Sequence, residues 1–142
     1  MGQCAPAREA DIAAVEPARR ELILTEQWGT RTVADQVLAF ERRLGAAAGS
    51  DRWFAAPPSG PVAACCRVLA GGGVGQVEDV GTAPAARRQG LARAVVCAAV
   101  DASREAGHEL TFLNCDAEGW VGDFYARLGF QPVGLVHNFH RA

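Results

Sequence analysis

The spacing of apolar residues predicts two helices in the first third of the chain. Residues 8–24 set isoleucine, valine and leucine among charged residues at helical intervals, and Pro17 is expected to kink or divide this segment. A second amphipathic helix is predicted to begin after Thr32, with Asp35 as a weak capping partner, and to end within the small residues of 45–50.

Strand signals follow these helices. Residues 53–56 form a short apolar run, and a Pro-Pro-Ser-Gly turn at 57–60 leads into a second run across 62–69. Together they predict an antiparallel hairpin. After a run of three glycines, residues 75–82 set Val77 and Val80 among polar residues and predict a third strand.

The second half of the chain alternates helices and strands. The strongest helix signal covers residues 90–106, whose apolar residues share one face, and Gly107 is placed to end it. A short apolar strand is predicted at 110–115, a further helix at 120–128, and a last strand, interrupted by proline and glycine, at 130–139.

This order of elements predicts one mixed three-layer α/β domain spanning residues 1–142. No internal repeat and no long linker divides the chain, and its length suits a single core. The strand at 75–82, the helix after it and the strand at 110–115 form a crossover unit, which should place the two strands parallel.

Charge and composition exclude several classes of partner. The 14 Lys and Arg residues against 16 Asp and Glu residues give a net charge of −2, too little positive field to hold a nucleic-acid backbone. No segment approaches the 18 apolar residues that a membrane span requires. We therefore expect neither nucleic acid nor membrane as a partner.

The cysteines and histidines argue for a cytoplasmic protein without a metal. Five cysteines contain no C-x-x-C pair, which is a poor disulfide framework and fits a reducing cytoplasm. The three histidines are not spaced with cysteines as zinc ligands. We expect no metal site.

One turn carries the features of an anion site. Residues 84–92 combine Arg87, Arg88, Gly90 and Ala92 with the start of the strong helix, where unpaired backbone N–H groups and the helix dipole favour a phosphate. The arginines can add charge-assisted hydrogen bonds, and the small residues let the backbone approach an anion. By itself this turn is equally compatible with a solvated helix start.

Three segments resemble the GCN5-related N-acetyltransferase (GNAT) family. Arg87-x-x-Gly90-x-Ala92 matches the family's Q/R-x-x-G-x-G/A pyrophosphate loop. Val-Glu-Asp-Val-Gly-Thr-Ala-Pro at 77–84 is similar to its fourth strand, and Asp-Phe-Tyr-Ala-Arg-Leu-Gly-Phe at 123–130 resembles its late helix and the turn after it. The chain departs from the pattern at Arg88, often glycine, and at Glu118, often asparagine.

The resemblance implies a fold and a reaction. The fold would be a three-layer α/β/α arrangement whose central sheet is mixed, mostly antiparallel, and splayed open between its parallel fourth and fifth strands. Acetyl-coenzyme A would bind there as co-substrate, and its acetyl group would pass directly to a primary amine of a small molecule or protein. The residues implied in coenzyme A binding are Val80, Gly81, Thr82, Arg87, Arg88, Gln89, Gly90, Leu91 and Ala92.

Two residues are the candidate catalysts. An alkylammonium must lose a proton before it attacks, and Glu78, which shares strand parity with Val80, is the preferred base, with Asp79 second. Both carboxylates could instead belong to an ordinary solvated strand. Tyr125, the only tyrosine, lies where the family places the acid that protonates the departing thiolate, although a buried tyrosine is also common core material.

The sequence does not decide the roles of the tryptophans and of two cysteines. Trp28, Trp53 and Trp120 are candidates for the acceptor pocket, Trp120 first, and Cys97 and Cys115 are expected to be small core residues rather than nucleophiles. The alternative function is a catalytically silent acyl-coenzyme A sensor or an interaction module on the same fold. The resemblance also leaves a homodimer open.

Overall fold

In a computed structural model that describes residues 6–141, five strands form one sheet in the order β1-β2-β3-β4-β5. The first four strands are antiparallel neighbours, and β5 lies parallel to β4. Their bounds are Arg8–Ala10 (β1), Ser50–Ala56 (β2), Ala64–Gly71 (β3), Val74–Thr82 (β4) and Leu110–Phe112 (β5).

Four α-helices and one short 3-10 helix connect these strands. Their bounds are Ile12–Thr25 (α1), Arg31–Ala47 (α2), Pro84–Ala86 (the 3-10 helix), Leu91–Glu105 (α3) and Trp120–Arg127 (α4). Within residues 6–141, no helix combines the length and the apolar character needed to cross a membrane.

The sheet has a helical layer on each face because its strands alternate apolar side chains between the two sides. On β3, Cys65 packs with Val15 of α1, while the next residue, Cys66, packs with Val95 and Ala99 of α3. All five of these side chains are fully buried. The predicted three-layer mixed fold and the parallel pairing of β4 with β5 are confirmed.

The start of the chain differs from the prediction. Residues 8–10 form β1, which pairs with β2, and α1 begins only at Ile12 and continues through Pro17 without dividing. Strand pairing at the sheet edge therefore overrides the helical pattern there. The cap of α2 is Thr30 rather than Thr32, because the Thr30 hydroxyl accepts the Val33 N–H at 3.2 Å.

The end of the chain also differs. The strand predicted at 130–139 is absent from the described residues, and residues 131–141 have no regular secondary structure. Phe130 still anchors the start of this segment, since its N–H donates to the Tyr125 carbonyl oxygen at 3.1 Å. Beyond Phe130 every described residue is exposed, so a strand pattern without a neighbouring strand does not produce a strand.

Candidate active site

The sheet opens between β4 and β5. The two strands pair only where Val74, Gly75 and Gln76 lie opposite Leu110, Thr111 and Phe112. β5 ends there, whereas β4 continues to Thr82 and remains paired to β3 on its other side. The edge of β4 that faces away from β3 is therefore uncovered by β5 from residue 77 onward, which confirms the predicted splay.

A β-bulge lies within this open stretch of β4. The register with β3 shifts between Cys65 and Arg67, and Asp79 adopts a positive φ of 55°. A residue inserted in this way reverses the side-chain alternation of a strand. Simple parity therefore does not decide where Glu78 and Asp79 point.

Asp79 is held by two arginines. Its carboxylate lies 2.9 Å from Nε of Arg67 and 3.3 Å from an Nη of Arg19. Arg19 also pairs with Glu41, and Arg67, only 1% exposed, donates to the Glu41 carbonyl oxygen at 2.9 Å. The guanidinium of Arg67 further stacks over Trp53, at 5.1 Å from the ring centroid. Asp79 is thus committed to structural ion pairs.

A cavity of about 400 Å³ occupies the opening of the sheet. It contains both candidate catalysts, Glu78 and Tyr125, and its remaining lining comes from α1, β4, the segment after β5, and α4. These lining residues are Arg19, Val77, Asp79, Val80, Asn114, Cys115, Asp116 and Val121. A larger hollow of about 570 Å³ lies against β1 and the start of α1, and contains neither catalyst.

Glu78 lies in this cavity, where burial and a neighbouring charge change the pKa of its carboxyl group. Burial raises the pKa of its carboxyl group above the ordinary 4.5, and the nearby charge of Asp79 raises it further. The Gln76 side-chain amide donates a hydrogen bond to Glu78, and together with the charge of Arg67 it opposes part of that rise. A carboxylate whose pKa moves toward neutrality is a better general base than an ordinary surface glutamate.

Tyr125 is the buried side chain of α4. Its ring makes edge-to-face contacts with Phe124 and Phe130, at centroid distances of 5.0 and 5.8 Å. Burial raises the pKa of its hydroxyl to about 12, and the phenol therefore stays protonated throughout the neutral range. It is a hydrogen-bond donor placed in the same cavity as a candidate base.

The predicted anion turn leads directly from the open end of β4 into α3. Gly90 is the N-cap with a φ of 78°, and no side chain caps the helix. The first helical bond runs from the Ala94 N–H to the Gly90 carbonyl oxygen at 3.0 Å, so the N–H groups of Leu91 and Ala92 have no acceptor within the helix. Arg87, Arg88 and Gln89 precede them and are exposed.

The other predicted coenzyme A contacts lie at the end of β4. Val80 lines the cavity, while Gly81 approaches α1 so closely that an added Cβ would lie 2.6 Å from the Leu22 side chain. Arg87 Nε donates to the Thr82 carbonyl oxygen at 3.4 Å, which ties the turn back to the strand. The structure thus brings the turn, the strand end and the cavity into one continuous region.

Several residues that line the cavity could not be recognised from the sequence as site residues. Arg19 belongs to α1, about sixty residues from β4, and only the packing of α1 on the sheet brings it there. Asn114, Cys115 and Asp116 follow β5 in the chain. The indication that the sequence offers for them is that polar residues come after a strand predicted to border the opening of the sheet. Cys115 is exposed, which corrects the expectation of a core residue. Cys97 is half-buried and its thiol is not free.

The tryptophans do not line this cavity. Trp53 is buried against Arg67 and α1, while Trp28 and Trp120 are 57% and 72% exposed. Trp120 as the leading pocket residue therefore has no support in this arrangement. Within residues 6–141, no three His, Cys, Asp or Glu side chains are grouped so as to hold a metal ion.

Comparison with known families identifies the chain. The family profile described as "Acetyltransferase (GNAT) domain" matches residues 49–132, more than half of the chain and the whole stretch from β2 through α4. The chain therefore belongs to the GNAT family of acetyltransferases.

A curated relative gives a closer sequence match over part of the chain. It is a probable glucosamine 6-phosphate N-acetyltransferase 2 from Oryza sativa subsp. japonica, 40% identical over 87 residues. That alignment covers 57% of this chain and 51% of the rice protein. The chain thus spans about half the length of the curated relative it matches.

Solved structures share the fold at low sequence identity. A transcriptional regulator from Bacillus halodurans C-125 superposes with a TM-score of 0.75 at 20% identity, covering 95% of this chain and 98% of that one. AAC(6')-Iy, in complex with the bisubstrate analogue CoA-S-monomethyl-acetylneamine, gives a TM-score of 0.71 at 17% identity, covering 96% and 97%. At such identities these matches establish the fold alone.

Proposed function

We propose that this enzyme transfers the acetyl group of acetyl-coenzyme A directly to a primary amine. The observation that carries the proposal is the shared cavity of Glu78 and Tyr125, a candidate base and a candidate proton donor, at the place where β4 and β5 separate. The acceptor class is a small-molecule amine or a protein amine. The rice relative makes glucosamine 6-phosphate the first acceptor to test.

Coenzyme A would be bound through its diphosphate and its pantetheine arm. The N–H groups of Leu91 and Ala92 favour an anion at the start of α3, and Arg87, Arg88 and Gln89 lie next to them. The open edge of β4 around Val80, Gly81 and Thr82 would bond the arm through its main chain and polarise the thioester carbonyl.

Glu78 acts as the base in this proposal. Its ionised carboxylate accepts a proton from the ammonium form of the acceptor, directly or through a water, and leaves a neutral amine. The amine nitrogen then attacks the thioester carbon, which forms a C–N bond and a tetrahedral oxyanion with a positively charged nitrogen. Asp79 takes no part, because its charge is paired with Arg19 and Arg67.

Tyr125 completes the transfer as a proton relay. A phenol of pKa about 12 does not by itself give its proton to a thiolate, whose ordinary pKa is about 8.5. The tetrahedral adduct, however, carries an acidic proton on its nitrogen. As the C–S bond breaks, the Tyr125 hydroxyl gives its proton to the sulfur and takes up the proton from the nitrogen of the adduct. No phenolate therefore accumulates. The products are the amide and free coenzyme A.

The proposal also includes a cytoplasmic location and a single domain over residues 1–142. It includes neither nucleic acid nor a membrane as a partner, and no metal in the chemistry. A homodimer is compatible with the large apolar side chains that remain exposed beyond α4.

The test is release of free thiol from acetyl-coenzyme A against a panel of amines that begins with glucosamine 6-phosphate. Amine-dependent thiol release is expected. Saturable binding of acetyl-coenzyme A without release for any amine would instead identify a sensor, and no binding in titration calorimetry would overturn the proposal altogether.

A further inference from the structure

The charged lining of the cavity between β4 and β5 is mainly negative. Three carboxylates line this cavity of about 400 Å³, those of Glu78, Asp79 and Asp116, against the single cation of Arg19. The guanidinium of Arg19 pairs with Glu41 and lies 3.3 Å from a carboxylate oxygen of Asp79. Among these lining residues, therefore, the only positive charge is already neutralised by carboxylates of the protein.

Two of the three carboxylates have no cation of their own. Asp79 is bound by the buried guanidinium of Arg67 at 2.9 Å. Glu78, in contrast, accepts a hydrogen bond from the neutral amide of Gln76. The side chain of Asp116 is exposed and has neither a hydrogen bond nor an ion pair within residues 6–141. The cavity therefore offers two negative charges to a bound molecule and no free positive charge.

The remaining lining suits an aliphatic group. Val77, Val80 and Val121 contribute hydrocarbon surface to the same cavity as the two carboxylates. Its volume also falls within the range of about 300–1,000 Å³ in which proteins bind small molecules. A molecule with a hydrocarbon stem and a cationic group on each side of it would match both the charge and the apolar surface.

We propose that the acceptor is a primary amine that carries a second positive charge and no anionic group, and that Asp116 binds this second charge. One ammonium group loses its proton at Glu78 and becomes the nucleophile. The other stays protonated and pairs with the carboxylate of Asp116, which takes no proton. This assignment rests on the proposed function, because it treats the cavity as the place where the acceptor reacts.

The same charges disfavour an acceptor that bears a phosphate or a carboxylate. Such a group would face Glu78 and Asp116 without a free cation in the lining, and like charges brought close together repel strongly. Arg87 and Arg88 do not line the cavity and lie at the turn proposed for the diphosphate of coenzyme A. Glucosamine 6-phosphate, which the name of the rice relative contains, should therefore be a poorer acceptor than glucosamine.

The first experiment compares three amines that share a chain of five methylene groups and differ at the far end. They are 1,5-diaminopentane, 1-aminohexane and 6-aminohexanoate, which end in an ammonium, a methyl and a carboxylate group. Thiol release from acetyl-coenzyme A gives kcat/KM for each. We expect the diamine to exceed 1-aminohexane about fivefold, as one partly exposed ion pair allows, and 6-aminohexanoate to be slowest. Glucosamine should exceed its 6-phosphate about tenfold. Equal or reversed orders overturn the proposal.

The second experiment assigns the preference to Asp116. Asp116→Asn removes the charge but keeps the shape, and an exposed side chain without a partner can be changed without loss of the fold. The ratio of diamine to 1-aminohexane should fall to about two, the statistical advantage of two equivalent amines, chiefly through a higher KM for the diamine. The control Asp101→Asn removes an exposed carboxylate of α3 outside the cavity, and should keep the wild-type ratio. An unchanged ratio in Asp116→Asn, or an equal fall in the control, overturns the assignment.

A binding measurement separates this inference from the proposed function. Calorimetry with the protein and each of the three amines, without acetyl-coenzyme A, should show tighter binding of the diamine that depends on Asp116. If this holds but no amine releases thiol, acetyl transfer is wrong and the cation preference stands. If thiol is released but 1-aminohexane or 6-aminohexanoate is preferred, acetyl transfer stands and the preference is overturned. If neither release nor a binding preference is observed, both are overturned.

Discussion

Nε of Arg67 lies 2.9 Å from a carboxylate oxygen of Asp79, in the side of the sheet that α1 and α2 cover. Arg67 is fully buried, and Asp79 occupies the bulge of β4. The adjacent Glu78 has no ion pair of its own within residues 6–141, and its carboxyl instead accepts from Gln76 in the cavity. Two neighbouring carboxylates therefore have different tasks, one structural and one available for chemistry.

Removing the hydroxyl of Tyr125 should slow turnover without weakening coenzyme A binding. We expect Tyr125→Phe to lower kcat about 100-fold, because proton transfer by a positioned group contributes a factor of this order. Calorimetry should give an unchanged Kd for coenzyme A. The double variant Phe124→Tyr/Tyr125→Phe returns a hydroxyl to α4 one position away, and should stay as slow. Equal losses in kcat and in affinity would contradict the relay.

Glu78→Gln should move activity to higher pH. The wild type requires Glu78 ionised, so its rate rises with pH through the raised pKa of that carboxyl. Without the base, the rate should rise only as the amine loses its own proton, near its ordinary pKa of about 10. The measurement is kcat/KM against pH for one amine. An unchanged profile would remove Glu78 from the mechanism.

The same variant should change the pH dependence of stability. Because the pKa of Glu78 is raised in the folded protein, the folded protein keeps a proton on this carboxyl group at pH values above about 4.5, where the unfolded chain releases it. Wild-type stability therefore falls as pH rises from the unfolded pKa through the folded one. Glu78→Gln should lack this fall, and denaturant melts from pH 4 to 8 should show it. Parallel curves for both proteins would mean that burial does not perturb this carboxyl group.

Asp79→Asn should destabilise the fold and also acidify Glu78. Loss of one charge from a buried pair leaves Arg67 with only the longer contact to Asp51, at 3.5 Å, and should cost on the order of 3 kcal/mol. The pKa of Glu78 should fall, because the charge of Asp79 is one of the causes that raise it. The acid limb of kcat/KM should then shift to lower pH. Glu9→Gln, which breaks an exposed pair with Arg52, is the control and should cost under about 1 kcal/mol. A shift of the acid limb to higher pH, or no shift, would mean that the charge of Asp79 does not raise the pKa of Glu78.

Gly90→Ala should weaken coenzyme A binding more than it destabilises the protein. An added Cβ at Gly90 meets nothing within 4 Å, so the cost in the unbound protein, about 1 kcal/mol, comes from its φ of 78°. A relaxed turn would misalign the first N–H groups of α3, and we expect Kd for coenzyme A to rise about tenfold. Gly122→Ala, in α4 with ordinary backbone and open space, should leave Kd unchanged.

The sequence by itself determined the order of most elements and the identity of the candidate chemistry. The apolar run of β3, the valines of β4, the apolar face of α3 and the glycine before it are local properties, so the layered fold and the anion turn followed from them. Glu78 and Tyr125 followed from the resemblance of short segments. The structure places both in one cavity, and their roles remain proposals.

Tertiary structure decided the rest, because the deciding contacts join residues far apart in the chain. Pairing with β2 made residues 8–10 a strand rather than the start of a helix. Arg67 of β3 pairs with Asp79 of the neighbouring strand β4, and Arg19 contacts the same carboxylate because α1 packs on the sheet, which no spacing of charges indicates. The strand pattern at 130–139 has no neighbouring strand within residues 6–141, and a strand needs a partner to pair its backbone and burial to stabilise its apolar face.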